Sequence, residues 1–419
     1  MNTKKYMHQR RLLVVSIIVG LTVSVANAGG PVYSRYGLGE LFYFAGSRSY
    51  AMGDAGIGLL GDGFINQINP AGLALISATR FSGMFEYSNY SSTDPSGSAR
   101  YARGDFGGLS VAIPASKDYG VVLLAELTPY STVNYEISRD DSQLGISSNQ
   151  EFIGSGGISR FDLGSSISIT QNLHAGFKLN YLAGTILQTT KINFADNTYS
   201  NSVLTLSDHY SGVLFTFGAS YSGVGDLVGS SFLKSLVLGF VVETPTSLDV
   251  REDHLTATAQ QYDTTSTQFG KADIPTFFGI GASYALADRY VFAADLAMQD
   301  WSNAKNFGLH PAELRNSTRF GGGFEVRPSK DASTYWEHVI YRAGFYYNSS
   351  YIQVDGQPIN AMFATVGLGL PIGADSHLNL GFQIGVNGTN QNDLQKDTIF
   401  RLTASISASE LWFVRIDEE

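Results

Sequence analysis

The chain contains no cysteine, which rules out disulfides, thiolate metal sites and a cysteine nucleophile. Charge is scarce as well. Asp, Glu, Lys and Arg make up 15% of the 419 residues, against roughly a quarter in an ordinary soluble domain. What charge there is sums to −10, the wrong sign for a phosphate-binding surface, so nucleic acid is not an expected partner. Beyond the first 28 residues no run is uniformly apolar over the roughly 18 residues of a membrane-spanning helix. If the chain crosses a membrane, it does not do so with helices. Catalytic signatures are missing too: there is no H-E-x-x-H, no His pair at metal-ligand spacing and no G-x-S-x-G elbow. His209, His254, His310 and His338 read as loop or segment-end residues. His174 alone sits where neighbouring strands could bring a serine to it, and it reads as an inward-facing polar group. No enzymatic activity, cofactor or metal is expected.

Present in quantity are glycine (46), tyrosine (23) and phenylalanine (26), at a mean hydropathy of only −0.01. An apolar belt interleaved residue by residue with a polar lumen gives that combination. Phe81, Gly83, Phe85 and Tyr87 alternate with Arg80, Ser82, Met84 and Glu86. Val213, Phe215, Phe217 and Ala219 alternate with Thr216, Gly218 and Ser220, and Phe400, Leu402, Ala404 and Ile406 with Arg401, Thr403 and Ser405. Successive side chains of a strand point to opposite faces, so each run carries one apolar and one polar face. About fourteen such segments lie between 78 and 414, each able to supply the roughly 9–11 residues of a tilted spanning strand. Short links at 114–117, 170–172, 286–288 and 371–375 alternate with polar spans at 91–100, 139–149, 192–202, 253–273, 302–316, 353–359 and 389–396. That predicts tight periplasmic turns and long outer loops, a rule that Gly223–Leu233 and Pro328–Tyr335 break. A soluble sandwich alternates too, but a single core seldom grows past roughly 250–300 residues, and the alternation here runs for roughly 340 without a linker. The expectation is an all-β chain: a transmembrane antiparallel barrel over 77–419.

Aromatics near segment ends, including Tyr90, Tyr130, Tyr135, Tyr181, Tyr290, Trp301, Tyr346, Tyr347, Trp412 and Phe413, predict interfacial girdles. Pro129 and Pro245 interrupt strands and predict a bulge, a kink or a strand end. Glu126 and Arg160, on adjacent strands, predict an ion pair inside the barrel.

The first 28 residues read as a cleaved secretory signal. Lys4, Lys5, Arg10 and Arg11 are its basic region, Leu12 to Val25 its apolar core and Ala26-Asn27-Ala28 its cleavage site. Residues 29–76 differ from everything after them. Tyr50-Ala-Met52-Gly53-Asp54-Ala-Gly56-Ile-Gly58 leads on to Asn66-Gln-Ile-Asn69-Pro70-Ala71-Gly72-Leu73, with glycines for tight turns and a proline that pushes Asn69 out of the helical region. The glycine spacing is wrong for a dinucleotide-binding loop, and no strand precedes it. Such a compact segment suits a plug.

M-G-D-A-G and N-P-A-G-L at this spacing, ahead of many alternating strands, resemble the N-terminal hatch of the long-chain fatty-acid transporter (FadL/TodX-type) family of outer-membrane β-barrels. The resemblance implies a barrel of about 14 strands with the hatch in its lumen, in the outer membrane of a Gram-negative-type cell. It implies transport of a hydrophobic or amphipathic, fatty-acid-like molecule, with Met52, Gly53, Asp54, Gly56, Asn69, Pro70, Ala71, Gly72 and Leu73 in the hatch. Pro129 lies in the third strand, where that family carries a kink that opens the wall sideways. Outer-membrane lipid and a hydrophobic small molecule are the implied partners. The outer loops here are modest, without a long apolar one to capture a fatty acid. The alternative is a non-enzymatic barrel subunit that binds a protein partner in an outer-membrane secretion or assembly complex. Loop 250–273 and the acidic tail Asp417–Glu419 are its candidate contact surfaces.

Overall fold

Fourteen antiparallel strands follow one another around a closed wall in this computed structural model. It describes residues 30–43, 46–142, 147–196, 198–258, 262–329, 331–373 and 375–410; the expected signal at 1–28, Trp412, Phe413 and Asp417–Glu419 lie outside them. The strands are β1 (Thr79–Asp94), β2 (Gly97–Ser116), β3 (Val121–Asp141), β4 (Ser148–Ser168), β5 (Leu173–Phe194) and β6 (Ser202–Tyr221). Next come β7, in two halves (Leu236–Glu243 and Thr246–Thr258), and β8, also in two (Tyr262–Ile274 and Phe277–Leu286). The wall is completed by β9 (Tyr290–Gln299), β10 (Ser317–Val326), β11 (Ile340–Val354), β12 (Gln357–Pro371), β13 (His377–Gly388) and β14 (Lys396–Glu410). β14 pairs with β1 from Lys396↔Thr93 to Glu410↔Thr79, which leaves no free edge there.

The apolar side chains face outward. Phe161, Leu163, Phe177, Leu179, Phe215, Phe217, Phe278, Phe292, Phe320 and Phe400 are all exposed, while their polar neighbours Asp162, Lys178, Asn180, Thr216 and Thr403 are buried. A soluble core would reverse this arrangement, so the outward belt is the lipid-facing surface.

The belt lies at one end of the strands. On β5 it covers Phe177 to Tyr181, beside the tight turn at 169–172, and on β4 Phe161 to Ile167 beside the same turn. The opposite ends, Asn149–Glu151 and Lys191–Asn193, project past the belt by roughly ten residues, or ~33 Å. Projecting ends are the outer side and the belt-proximal turns the periplasmic side. The expected contrast in loop length is therefore a contrast in strand length. Spans 91–100, 253–273 and 353–359 are largely strand, closed by the connections at 95–96, 259–261 and 355–356. They read as loops because polar residues on both faces give no alternation. His209 and His254, read as loop or segment-end residues, lie within these projecting strands.

Two prolines punctuate one level of the wall. Pro245 separates the halves of β7 and Pro275 those of β8. The register brings the breaks side by side, with Thr246↔Ile274 above and Glu243↔Phe277 below. Proline cannot donate to a ladder, so the two breaks coincide where neither strand needs the bond. The two periplasmic connections without a sequence account fold into single turns of helix at Val224–Leu227, Ser231–Ser235 and Tyr335–His338.

Several girdle expectations fail. Tyr90, Tyr130, Tyr135, Trp301 and Tyr346 are buried inside, where Tyr90 stacks on Tyr101 and Tyr346 on Phe363. For the four tyrosines, parity along the strand selects the inner face, and position near a strand end does not override parity; Trp301 lies past the end of β9, in a connection that folds inward. Tyr181, Tyr290 and Tyr347 do face outward.

Candidate functional site

The ladder between β2 and β3 stops halfway up the wall. It runs from Ser116↔Val121 to Leu109↔Leu127 and goes no further, although both strands continue. Two irregularities flank the stop. Gly107 is the extra residue where Met84 pairs with Gly108 and Phe85 with Phe106, and Gly108 takes a φ of +134° that only glycine adopts easily. On β3 the register with β4 shifts between Pro129 and Ser131. The upper halves of β2 and β3 are thus left without each other.

The chain's own N-terminal residues take the vacant edge. Glu40–Leu41 forms a two-residue strand antiparallel to Thr132–Ser131. On their other side Ser131 and Thr132 pair with Ile158 and Gly157 of β4, so Glu40–Leu41 lies on the edge that β2 leaves. The Phe42 amide donates to Tyr130 O at 3.0 Å, and Ser34 Oγ meets Asn134 O and N at 3.2 Å each. Glu40 binds Arg401 across the lumen at 2.8 Å and approaches Arg103 of β2 at 3.9 Å. Tyr33 donates to Gln395 O at 2.6 Å, and Tyr351 Oη donates to Gly39 O at 2.6 Å. Around this strap the outer half of the lumen is an apolar core: Tyr33 and Leu38 pack with Ile158, Leu182, Ile186, Leu248 and Val250 of the wall and with Trp301, Ala304 and Leu314 of the connection at 300–316.

Residues 46–76 follow, bonded to the wall in many directions. Gln67 O accepts from Lys178 Nζ of β5 at 2.7 Å, Asn69 Nδ2 donates to Ala219 O of β6 at 3.1 Å, and Gly58 O accepts from Ser283 Oγ of β8 at 2.7 Å. Arg48 forms a two-pronged ion pair with Glu325 of β10, both bonds 2.8 Å. Gly53 N donates to Thr365 Oγ1 of β12 at 3.1 Å, and Tyr50 O accepts from Gln383 Nε2 of β13 at 3.1 Å. A segment that touches strands on all sides, and is buried nearly throughout, occupies the lumen.

Met52, Gly53, Asp54 and Gly56 lie together in one turn of this segment. Met52 is fully buried, Gly53 and Asp54 have φ of +64° and +60°, and Asp54 is ion-paired with Arg319 of β10. The amides of Gly56 and Ile57 donate to one oxygen of Asp295, a β9 carboxylate, at 2.5 and 2.7 Å. The glycine-rich turn does cradle an anion, and the anion is the chain's own wall residue. Asn69 caps a 3₁₀ turn over Pro70, Ala71, Gly72 and Leu73, accepting from Ala71 N at 3.1 Å, with Pro70 at the first position where no amide is needed. Asn69 Nδ2 also bonds Ile57 O at 2.8 Å, and Asn66 Nδ2 bonds Gly56 O and Leu59 O at 2.8 and 2.9 Å, so the two motifs are tied into one knot.

Wall glycines receive this knot. A Cβ at Gly218 would run into Asn69 Oδ1, and one at Gly344 into Gly53 N. Motif inspection missed these positions, together with Arg48, Asp295, Arg319 and Glu325. A signal existed: each wall residue among them falls on the polar parity of its strand, where a lumenal partner is required. The expected Glu126–Arg160 pair is not the one formed. Arg160 bonds Glu243 at 3.0 Å and lies 3.2 Å from Asp162, and Lys178 lies 3.1 Å from Asp162 and 3.7 Å from Glu126. Register decides it, since Glu126 faces Asp162 across the ladder and Arg160 faces Thr128. His174 bonds Ser168, its cross-strand neighbour, at 2.8 Å. Among the described residues no group of three or more His, Cys, Asp or Glu is placed to hold a metal.

Directly below the strap lies a cavity of about 90 Å³ between Tyr43, Tyr50, Arg319, Tyr346, Phe363 and Arg401, room for a few waters.

Solved structures with this architecture are barrels of the FadL/TodX type. A FadL homologue of Pseudomonas aeruginosa superposes with a TM-score of 0.61 at 12% identity, covering 88% of this chain and 99% of that one. The toluene transporter TodX of P. putida gives 0.57 at 14%, with 91% and 99% covered, and TbuX of Ralstonia pickettii, also a toluene transporter, gives 0.55 at 12%, with 87% and 98%. At such identities the likeness is one of fold. No match was found among curated protein sequences. Sequence relationship comes instead from a family model that spans residues 7–417, almost the whole chain, and on that match this inwardly stoppered barrel belongs to the BamG family.

Proposed function

We propose that this barrel passes small hydrophobic or amphipathic molecules from the outer side toward the membrane, releasing them sideways between β2 and β3. The observation that carries this reading is the ladder that ends at Leu109↔Leu127, its vacant edge held by a two-residue strand, Glu40–Leu41, and by the bonds of Ser34 and Phe42 on either side of it. An apolar solute gains about 0.8 kcal/mol per buried CH₂, so a side exit into lipid is favoured over a route through water. Residues 30–43 are then the gate, and the hatch below, anchored by Arg48–Glu325 and the Asp295 cradle, closes the way to the periplasm. The structural neighbours described as toluene transporters and monoaromatic hydrocarbon channels agree with a small apolar solute. A fatty-acid-like molecule is the larger case and requires the strap to move.

The test uses the absence of native cysteine. Leu41 and Ser131 are direct antiparallel partners, with Cα atoms ~4.5–5.5 Å apart in such pairs, within disulfide reach. Leu41→Cys/Ser131→Cys, oxidised, is expected to abolish uptake of labelled toluene and fatty acid by cells, and reductant to restore it. Equal uptake in the oxidised and reduced states would remove the gate.

A second reading is favoured by the filled lumen. With an apolar core above and a cavity of only about 90 Å³ directly beneath the strap, the outer half of the barrel suits a structural subunit that docks a protein partner by its projecting hairpins. Mass spectrometry of the detergent-purified protein separates the two readings: a co-purifying lipid or hydrocarbon supports transport, a stoichiometric protein the docking role.

A further inference from the structure

Beneath the hatch, on the periplasmic side, lies a second cavity, of about 390 Å³, that neither reading uses. Leu60 to Ile65 form its roof, and Arg48, Glu325, Arg327, Arg342, His377 and Asn379 line it. Glu325 is the hub. Its Oε1 accepts from Arg48 Nη2 at 2.8 Å and Arg327 Nε at 3.0 Å, and its Oε2 from Arg48 Nε and Arg342 Nε, both at 2.8 Å. Three guanidinium groups therefore share one carboxylate; the roof's own carboxylate, Asp62, is paired with Arg80 at 3.4 Å and accepts from Ser77 Oγ at 2.6 Å, so two positive charges remain around Glu325. Arg48 and Arg342 are only 9% and 6% exposed, so bulk water does little to offset that excess. Donors remain as well. Arg342 Nη1 is taken by Asn379 Oδ1 at 2.9 Å, but Arg48 Nη1, Arg342 Nη2 and both terminal nitrogens of Arg327 have no hydrogen bond among the described residues. Ser82 and Ser407 add hydroxyls to the same wall.

We propose that this cavity binds a small oxyanion, a phosphate or phosphate ester that reaches it from the periplasm. Planar guanidinium forks match a tetrahedral oxyanion and are less strongly hydrated than ammonium groups, which suits a half-enclosed site. The lining residues belong to the lumenal face, so the wall stands between the cavity and the bilayer, and a free anion is favoured over a lipid headgroup. Arg48 belongs to the hatch while Arg327 and Arg342 belong to the wall. An anion shared among them staples hatch to barrel and stabilises the closed form by mass action.

The test is binding of inorganic phosphate to the full chain in detergent, by titration calorimetry and by thermal unfolding against chloride of equal ionic strength. One phosphate per barrel is expected, with a rise in Tm. Arg327→Gln, at the exposed end of the cluster, is expected to weaken binding about tenfold, the loss of one charge-assisted contact. Arg342→Gln goes deeper and leaves Glu325 short of a partner; a folded fraction, checked by resistance to unheated SDS, is expected to lose binding altogether. No saturable heat with the wild type, or equal affinity in Arg327→Gln, overturns the site. A second arm uses phosphate-free nanodiscs with and without phosphatidylglycerol. A Tm rise with that lipid and none with free phosphate would overturn the assignment to a free anion. Neither arm contains a hydrophobic solute, so the result stands apart from the fate of the transport reading.

Discussion

At Gly218 the wall backbone, with no side chain of its own, lies directly against the Asn69 and Pro70 side chains of the hatch. At Gly344 against Gly53, and at Gly281 against Gly58, a wall glycine meets a hatch glycine backbone to backbone. These positions need glycine for closeness, since their φ values lie in the ordinary extended range. Gly218→Val should push Asn69 off its cap and off Ala219, at a cost of about 1–3 kcal/mol from overpacking plus a lost cap. The expected signs are a lower unfolding temperature in detergent and faster protease cleavage within 46–76. Gly63→Ala, where an added Cβ meets nothing within 4 Å, should leave both unchanged. Cleavage at the same rate in both variants would mean that the knot does not depend on the wall.

Among the elements, β2 and β3 are the pair that departs from barrel regularity. Elsewhere the ladders run nearly the length of the shorter strand, as β4 with β5 does from Ser148↔Phe194 to Ser168↔His174. Between β2 and β3 more than half of each strand has no such partner, and an unpaired edge invites another strand. The chain supplies one from its own start. Removing residues 30–42 should therefore leave a folded barrel with a bare edge. By hydrogen exchange, the Asn134 amide, which donates to Ser34 Oγ of the strap, is expected to lose protection, while the amides of 160–166, paired with β5, keep theirs. Unchanged protection at Asn134 would show that the strap is not what covers it. This irregularity was only faintly legible in the sequence. Pro129 marked the strand, but Gly107-Gly108 looked like any other glycine pair, and Glu40–Leu41 is too short for any periodicity to register.

For the molecule as a whole, the outward apolar belt dictates the environment. Phe217 is 47% exposed on the lipid face between exposed Phe215 and Phe177. Phe217→Arg should cost ~2–4 kcal/mol if the residue sits near the bilayer midplane, read as a smaller folded fraction after refolding into vesicles. Tyr199→Arg, on an outer connection and exposed to water, should refold like the wild type. Equal losses in the two variants would argue that the belt does not face lipid.

The alternation of residues along each strand was enough to establish the barrel, its approximate strand number and which side chains look inward, because parity is a property of the backbone that no partner can change. It also marked 29–76 as a separate kind of segment. Which inward charge meets which was beyond it: Glu126 approaches Lys178 and leaves Arg160 to Glu243, and Asp295 fills a glycine cradle from 238 residues away. Those pairings depend on shear, on register and on where a folded-back segment comes to rest. These are set only when fourteen strands close, and a single broken ladder among them leaves the edge that Glu40–Leu41 occupies.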